Sequence, residues 1–557
     1  MIPTEGEAAP ADSMAQLLAA AEPSSKRRVG ELIERLEASG RLRTVRPAPP
    51  TVAGSSRPGP GLGALRVAGV TFDSRHVRAG AVFVAVRGAH ADGHDYVAAA
   101  AALGASAAIV ERPVAGAALP QIVVDDARRA LATAAAWWYG DPSRELGVVG
   151  ITGTDGKTTV SFLAAAVMEA AGISTGFITT AAARVGTLRT ANPEHVTTPE
   201  APQLQRLLRA MVVAGNEAAV VETTSHGLAL DRVAEIAYDV AIFTNLSHEH
   251  LELHGTFEAY RDAKLSLFRR LGGQVPEKAL ARVWPRVAIV NADDSAAPLF
   301  IAAAGEAGAR ARVLAYGVAA SADVRATNFD EGARSTRFDV ATPRWESRME
   351  VQLVGRFNVS NALAAIALGE ALELDPDGIR RSLASAAGVP GRMERVDCGQ
   401  PFGVVVDYAH SPASLENVLE VLGPLAAAGG GGLIVVFGSA GERDLLKRPM
   451  MGRIAGDHCR LVVVTDEDPR GEESQAILDE IAAGAEAAGS RPGRDLLCIA
   501  DRRAAIEAAF ERAGPGDVVL LAGKGHEQTI IMSDGPKPWD ERSEAVRALG
   551  QLGYRRA

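Results

Sequence analysis

Seven residues, Gly153-Thr154-Asp155-Gly156-Lys157-Thr158-Thr159, carry the densest chemical signal in the chain. Glycines let backbone N–H groups approach a polyphosphate, and a helix opening there turns its positive end toward the anion. In such a loop Lys157 reaches the β- and γ-phosphates and Thr158 offers a hydroxyl to Mg²⁺. The spacing departs from the full Walker pattern: Ile151 stands where its first glycine would be, and Gly150 comes one residue too early. An ordinary Gly-rich strand–helix turn is the alternative. The setting favours the nucleotide, because the apolar run 146–151 enters the loop and a helical pattern over 158–171 leaves it. Phosphoryl transfer also needs metal ligands and cationic clamps. Glu222, at the end of the apolar run AAVVE, supplies a hard oxygen for Mg²⁺.

The elements that must position these groups follow from the apolar pattern. Short, continuously apolar runs mark strands buried on both faces. They occur at 146–151, 217–223, 240–244 and 287–291, with helical patterns between them, which predicts a doubly wound sheet. After the GVPG break at 388–391, VVVDYAH, LIVVFGS, LVVVTDEDP and VVLLAGKG read as four strand-to-loop edges of a second parallel sheet. Ligands gather beyond the carboxyl ends of such strands, where every one of these polar motifs sits. Upstream, VAGVTFDSR, AVFVAV, DYVAAAAAL and AAIVE alternate as a small α/β domain, preceded by an amphipathic helix over 28–39 and the Pro/Gly-rich linker 47–63. The expected class is α/β with three domains: a small N-terminal α/β domain, a central P-loop parallel sheet and a C-terminal Rossmann-like parallel sheet. Their boundaries are 1–26 (disordered extension), 27–145, 146–390 and 391–557.

Composition narrows the class further. The 557 residues carry 58 basic and 68 acidic side chains, net −10, which argues against a general nucleic-acid binder. Three dispersed cysteines, Cys398, Cys459 and Cys498, exclude a disulfide framework and a four-cysteine zinc site and fit a reducing compartment. No apolar run reaches the roughly 18 residues that span a bilayer. The N-terminus lacks a basic-then-apolar leader pattern, so a cytoplasmic chain is expected.

GITGTDGKTT resembles the nucleotide loop of Mur ligases, the ATP-dependent amide-forming enzymes of peptidoglycan synthesis. DSRHVRAGAVFVAVRG, TTPE, VETTSHGL, FTNLSHEHLELHGTFEAYRDAKLSLF, NADD, VGRFNVSNALAA, GVPGRMERVD, VVDYAHSPASLENVL, VVFGSAGERDLLKRP, DEDPRGE and AGKGHE then fall in the family's order. The match runs from about residue 67 to the end. It is most similar to the member that adds the third residue, usually a diamino acid, to UDP-N-acetylmuramoyl-L-alanyl-D-glutamate (UDP-MurNAc-L-Ala-D-Glu).

The resemblance implies an acyl-phosphate mechanism and a set of site residues. Lys157, His250 and Lys264 are the implied catalytic residues, with Lys264 carbamylated. Thr158, Glu222, His250 and the Lys264 carbamate would hold Mg²⁺. Carbamylation requires a neutral amine, so the site must favour loss of the lysine proton. Gly153–Thr159, Asn358, Arg392 and Asp407, with His410 beside them, would meet ATP. Ser74 would contact UDP; Thr197, Thr198, Thr224 and Arg232 would bind the muramoyl-dipeptide. Thr224 replaces a usual serine, and Leu230 stands where glutamine is common. Arg443, Glu467, Asp468, Pro469, Arg470, Gly523 and Glu527 would receive the amino acid.

Ordinary readings stand beside these. His250 sits with His248 and His254 in a polar loop, Lys264 can be a solvated helix lysine, Asn358 can cap a helix, and Asp407 can cap a turn. Asp468 replaces the asparagine of the family's diaminopimelate signature. Its charge either neutralises Arg470 or pairs with a side-chain ammonium, so meso-diaminopimelate, L-lysine and L-ornithine all stay open. The chain is expected to act as a monomer that takes UDP-MurNAc-L-Ala-D-Glu, ATP and a diamino acid, without nucleic acid or membrane insertion. The rivals are another Mur-type or folylpolyglutamate-like ligase, and a non-catalytic nucleotide-binding regulator on this scaffold. The DSR segment and the GERD/DPR/GKGHE set argue against the first; the retained Lys157, Thr158, Glu222, His250 and Lys264 argue against the second.

Overall fold

The computed structural model describes residues 13–24, 26–47, 62–88, 91–192, 197–247, 251–271, 278, 280–306, 311–332, 335–386 and 388–555. They fall into two compact units: 1–154, 168–290 and 294–314 in one, and 155–167, 291–293 and 315–557 in the other. The expected mixed α/β class with parallel sheets holds in both.

Besides the short antiparallel pair Arg27–Arg28 with Arg66–Val67, the first unit carries a smaller and a larger sheet. In the smaller, Leu42–Arg46, Gln121–Val124, Ala107–Val110, Ala81–Val84 and Gly69–Thr71 lie in that order. All pairs are parallel except the first. Helices Val29–Ala38 and Ala127–Tyr139 close one face, burying Leu32, Leu36, Leu131 and Trp137 against Val82, Val84, Ile109 and Ile122. Burying each such aliphatic side chain is worth about 1.5–3 kcal/mol, which accounts for the apolar faces of these helices.

The larger sheet is the doubly wound one. Thr175–Ile178, Ala218–Glu222, Gly147–Thr152, Val240–Phe243 and Val287–Asn291 run parallel in that order. At its edge lies an antiparallel hairpin, Ala182–Val185 with Leu188–Ala191, that the apolar pattern did not announce. Ser13, expected within a disordered extension, instead caps a helix over Met14–Ala20. Leu17 and Ala21 anchor this segment in the core of the large sheet.

At the start of the second unit, the end of strand Arg312–Gly317 pairs parallel with Val324–Glu331, and Thr336–Ala341 and Glu346–Val351 add antiparallel. Helix Arg356–Ala371 follows, buried along nearly its whole length. The C-terminal sheet has the order Glu394–Arg395, Gly403–Asp407, Val518–Ala522, Leu433–Phe437, Leu461–Val464, Leu496–Cys498. Only the first pair is antiparallel. Helices Pro412–Ala428, Lys447–His458 and Ser474–Ala487 cover one face; Arg502–Glu511 and Glu541–Gln551 cover the other. The four strands expected to end in polar motifs are adjacent and parallel, so those motifs share one sheet edge. No helix among the described residues is long and apolar enough to cross a membrane.

Candidate active site

The strand Gly147–Thr152 runs into the phosphate loop, and the helix Lys157–Ala170 leaves it. Two glycines are required here by space and by backbone. Gly153 has φ 149°, and a Cβ there would lie 1.9 Å from Thr244 Oγ1. Gly156 has φ 81°, and a Cβ there would lie 2.3 Å from Asn361 Oδ1. Asn361 Nδ2 donates to Asn358 Oδ1 at 3.1 Å, and Asn358 Nδ2 donates to Val354 O at 2.9 Å. Asn358 is thus the buried third residue of its helix and not its cap, which is Gly355. Its amide braces the helix that bears on Asp155–Thr159.

Thr154 Oγ1 shares a 2.9 Å hydrogen bond with Tyr260 OH and accepts from Ser247 N at 2.9 Å. Lys264, on helix Phe257–Leu271, is 2% exposed and donates to Gly153 O at 2.5 Å, with Nζ 4.5 Å from the Tyr260 ring centre. The solvated reading of Lys264 is therefore wrong: the side chain is drawn inward to the start of the phosphate loop. Glu222, also buried, accepts from Thr180 N at 2.9 Å and Thr180 Oγ1 at 3.1 Å. His250 lies outside the described residues.

Around Glu222 the threonines form a connected set. The Thr180 and Thr197 hydroxyls share a 2.8 Å hydrogen bond, and Thr198 Oγ1 donates to Glu222 O at 2.9 Å. Thr198 and Thr224 hydroxyls are 2.9 Å apart, and Thr224 caps helix Ser225–Ala229 by accepting from Gly227 N. Arg232 donates to Thr198 O at 2.9 Å and pairs with Glu200 at 2.7 Å. Thr197, Thr198, Thr224 and Arg232 are thus gathered beside Glu222. Ser74 stands apart from them in the small-sheet region, opening a short 3₁₀ turn that Asp73 caps. Hydrogen bonds from Arg75 hold Asp73 down at about 2.

In the second unit, the ends of the parallel strands converge. Asp407 accepts from Met393 N at 2.7 Å and Ala409 N at 2.8 Å, so it does cap its turn. Burial raises its pKa; Arg392 and the two amides oppose this, and the charge of Asp155 adds to it. Arg392 lies 4.6 Å from the Tyr408 ring centre. Tyr408 OH donates to Glu527 Oε1 at 3.2 Å, and Lys447 Nζ donates to His410 O at 2.8 Å.

The amino-acid motifs meet around a buried lysine. Lys524 Nζ is 2.8 Å from Asp468 Oδ1 and 2.5 Å from Glu527 Oε2. Burial would favour its neutral form, but the two carboxylates win and hold its pKa above the usual value. Asp468 Oδ1 also accepts from Ile531 N at 2.9 Å, and Arg470 N donates back to Ile531 O at 3.0 Å. The turn 467–470 is thereby zipped to the hairpin Thr529–Met532/Gly535–Pro538, with Arg470 at φ 56°. Glu467 is buried, and burial pushes its pKa up to about 7. Gly523 leaves room for it: a Cβ there would lie 2.7 Å from Glu467 Oε2. Among the described residues neither Glu467 Oε2 nor Arg470 Nε has a hydrogen-bond partner. Pro469 lies between them in the turn, its carbonyl 2.1 Å from where a Cβ on Gly441 would be. Arg443 is solvent exposed on the preceding loop.

Several structural residues escaped sequence reading. Lys524 lies inside the GKGHE motif, where its place between two glycines was the available signal. Arg448, fully buried, bonds Glu480 at 3.0 Å, Glu472 at 3.1 Å and Ala440 O at 3.3 Å, and so braces the loop that bears Arg443. An arginine in a surface-like helical pattern gives no warning of this.

Family models match in the expected order: the Mur ligase family catalytic domain at 66–139, the Mur ligase middle domain at 151–369 and the Mur ligase glutamate ligase domain at 391–525. The UDP-N-acetylmuramyl-tripeptide synthetase of Roseiflexus sp. (strain RS-1) is 48% identical over 492 residues, covering 88% of this chain and 95% of that protein. The UDP-N-acetylmuramoyl-L-alanyl-D-glutamate–2,6-diaminopimelate ligase of Geobacter metallireducens (strain ATCC 53774 / DSM 7210 / GS-15) is 40% identical over 504 residues, covering 88% and 95%. The solved structure of a UDP-N-acetylmuramoyl-L-alanyl-D-glutamate–2,6-diaminopimelate ligase aligns at TM-score 0.61 and 29% identity, covering 89% of this chain and 97% of that one. A folylpolyglutamate synthase from Mycobacterium tuberculosis, 19% identical at TM-score 0.55, shares the fold alone. On these matches the chain belongs to the Mur ligase family, and it is an ATP-dependent ligase.

Proposed function

We propose that the chain joins meso-diaminopimelate to the D-glutamyl carboxylate of UDP-MurNAc-L-Ala-D-Glu, in the cytoplasm, with ATP cleaved to ADP and phosphate. The domains divide the work: 27–145 takes the UDP end, 146–390 takes ATP, and 391–557 takes the amino acid. The substrate carboxylate attacks the γ-phosphorus of ATP and releases ADP, giving an acyl phosphate. The amine then attacks the acyl carbon and expels phosphate, which keeps the proton lost from nitrogen. Lys157 clamps the migrating phosphoryl group, and Thr197, Thr198, Thr224 and Arg232 hold the dipeptide.

Mg²⁺ fits the donors present. Glu222 is a buried carboxylate and Thr158, second residue of the phosphate-loop helix, offers a hydroxyl; a carbamate on Lys264 would add two more hard oxygens. The ion would offset charge on the phosphoryl oxygens.

One observation carries the choice of amino acid. Asp468 is engaged by Lys524 and the Ile531 amide, so it neither neutralises Arg470 nor waits for a substrate ammonium. Two side-chain atoms of the pocket's turn are buried without a hydrogen-bond partner among the described residues, the donor Arg470 Nε and the acceptor Glu467 Oε2. That pair suits a distal end bearing both carboxylate and ammonium, which diaminopimelate has and lysine and ornithine lack. The test is ligation with each diamino acid, with products weighed by mass spectrometry. The UDP-tripeptide should form with meso-diaminopimelate in strong preference to lysine. Arg470→Ala should raise KM for diaminopimelate about 10- to 100-fold, as loss of a charged hydrogen bond would. Asp468→Asn, which keeps the Ile531 bond, should change it by less than about tenfold. Equal use of lysine by the unaltered enzyme would sink the assignment.

A pH dependence follows from Glu467. Its pKa in the folded chain, about 7, exceeds the ordinary 4.5, so folding favours the protonated form. Its contribution to stability is full below pH 4.5 and is lost as pH rises through 7, about 3 kcal/mol in all. Binding runs the other way, since only the carboxylate meets an ammonium. KM for diaminopimelate should therefore fall between pH 6 and pH 8, and Glu467→Gln should flatten the profile. A profile unchanged by that substitution would remove Glu467 from the pocket.

A further inference from the structure

One buried ion pair links two segments of the amino-acid pocket, the 466–470 turn and the 522–528 loop. Arg502 opens helix Arg502–Glu511, and its side chain is 1% exposed. Its guanidinium donates to Asp466 O at 3.1 Å and to Ala522 O at 2.7 Å. Each of these carbonyls immediately precedes a pocket residue, Glu467 in one case and Gly523 in the other. The strands they end, Leu461–Val464 and Val518–Ala522, are not neighbours; Leu433–Phe437 lies between them. No ladder hydrogen bond can join strands about 10 Å apart, so a side chain must fix their ends relative to each other.

The same guanidinium grips Glu541, at 2.6 and 2.9 Å to its two oxygens, and the Glu541 side chain is wholly buried. Glu541 Oε2 accepts from Trp539 Nε1 at 2.6 Å, and Trp539 N donates to Gln528 O at 2.8 Å. Gln528 follows Glu527, the partner of Lys524. One connected unit therefore holds the 466–470 turn at one point and the 522–528 loop at both its ends. A buried pair adds little net stability compared with a well-packed apolar pair, so stability alone does not explain it.

We propose that Arg502, held by Glu541, is a positioning residue for the amino-acid pocket: it sets the spacing between the 466–470 turn and the 522–528 loop. The proposal rests on reading these loops as the diamino-acid site. Lysine at 502 cannot span both carbonyls and Glu541 at once, because its ammonium is a single point rather than a fork.

Arg502→Lys should raise KM for diaminopimelate about 10- to 100-fold, the effect of misplacing a binding group by about 1 Å. KM for ATP should stay within about twofold. A purely structural role is separated by the double variant Arg502→Met/Glu541→Met. Apolar replacement of the pair should restore the melting temperature, yet KM for diaminopimelate should remain raised because both carbonyls have lost their donor. A double variant with the unaltered enzyme's KM overturns the proposal. Hydrogen exchange gives a readout independent of turnover: amides in 466–470 and 522–528 should exchange faster in Arg502→Lys, and those in 153–159 should not. Unchanged exchange in both pocket loops overturns the proposal even if the enzyme proves to use another amino acid.

Discussion

Replacing Lys157 by alanine is expected to lower ATP-dependent ligation at least a thousandfold, a loss of about 4 kcal/mol of transition-state stabilisation. The backbone around the substitution is held by groups that do not depend on the lysine side chain. Lys157 O accepts from Ser161 Oγ at 2.8 Å, and Gly156 is seated against Asn361. Alanine is also the residue best tolerated within a helix. The variant should thus keep its melting temperature and its circular dichroism. What disappears is the positive charge that follows the migrating phosphoryl group, and nothing in water replaces a positioned cation. ADP release in the presence of all three substrates measures the effect, with ATP binding by calorimetry as the companion. Turnover within tenfold of the unaltered enzyme would show that the loop binds nucleotide without taking part in transfer, the behaviour of a regulator on this scaffold.

How far the sequence reveals this site depends on how each residue is surrounded. Strands buried on both faces are continuous apolar runs, so VVVD, LIVVF, LVVV and VVLLA could be placed, and with them the loops at their ends. The antiparallel strands of 324–351 have one wet face, and their burial alternates, as in Thr336–Ala341. Short alternations with arginine and glutamate between apolar residues look like loop. Buried cations are harder still. Arg502 and Glu541 are 39 positions apart, and neither stands in an apolar run. Each reads as a solvated face until the fold brings them together. Asp468 is the sharpest case: its substitution was visible, but its meaning depended on Lys524, 56 positions away.

Lys264→Met is expected to cost two to three orders of magnitude in turnover while leaving the fold intact. Methionine matches the lysine stem in size and flexibility and removes a buried polar atom, so the packing of helix Phe257–Leu271 should survive. The Lys264 amine is buried, with Nζ on Gly153 O at 2.5 Å and over the Tyr260 ring. Carbamylation starts from the neutral amine. The neutral amine adds to CO₂, forming a C–N bond and releasing one proton. The product keeps one N–H, enough to retain the bond to Gly153 O, and places a carboxylate two bonds further out. Carbamylation would thus turn a buried amine into an anionic oxygen donor for Mg²⁺ without disturbing the contact that locates it. Two measurements check this. Turnover should fall when CO₂ is stripped from the buffer and return with bicarbonate, and protein equilibrated with ¹³C-bicarbonate should show a carbamate resonance that Lys264→Met lacks. A variant as active as the unaltered enzyme, or an active enzyme indifferent to CO₂ and without that resonance, would leave Lys264 as a structural donor to the phosphate loop.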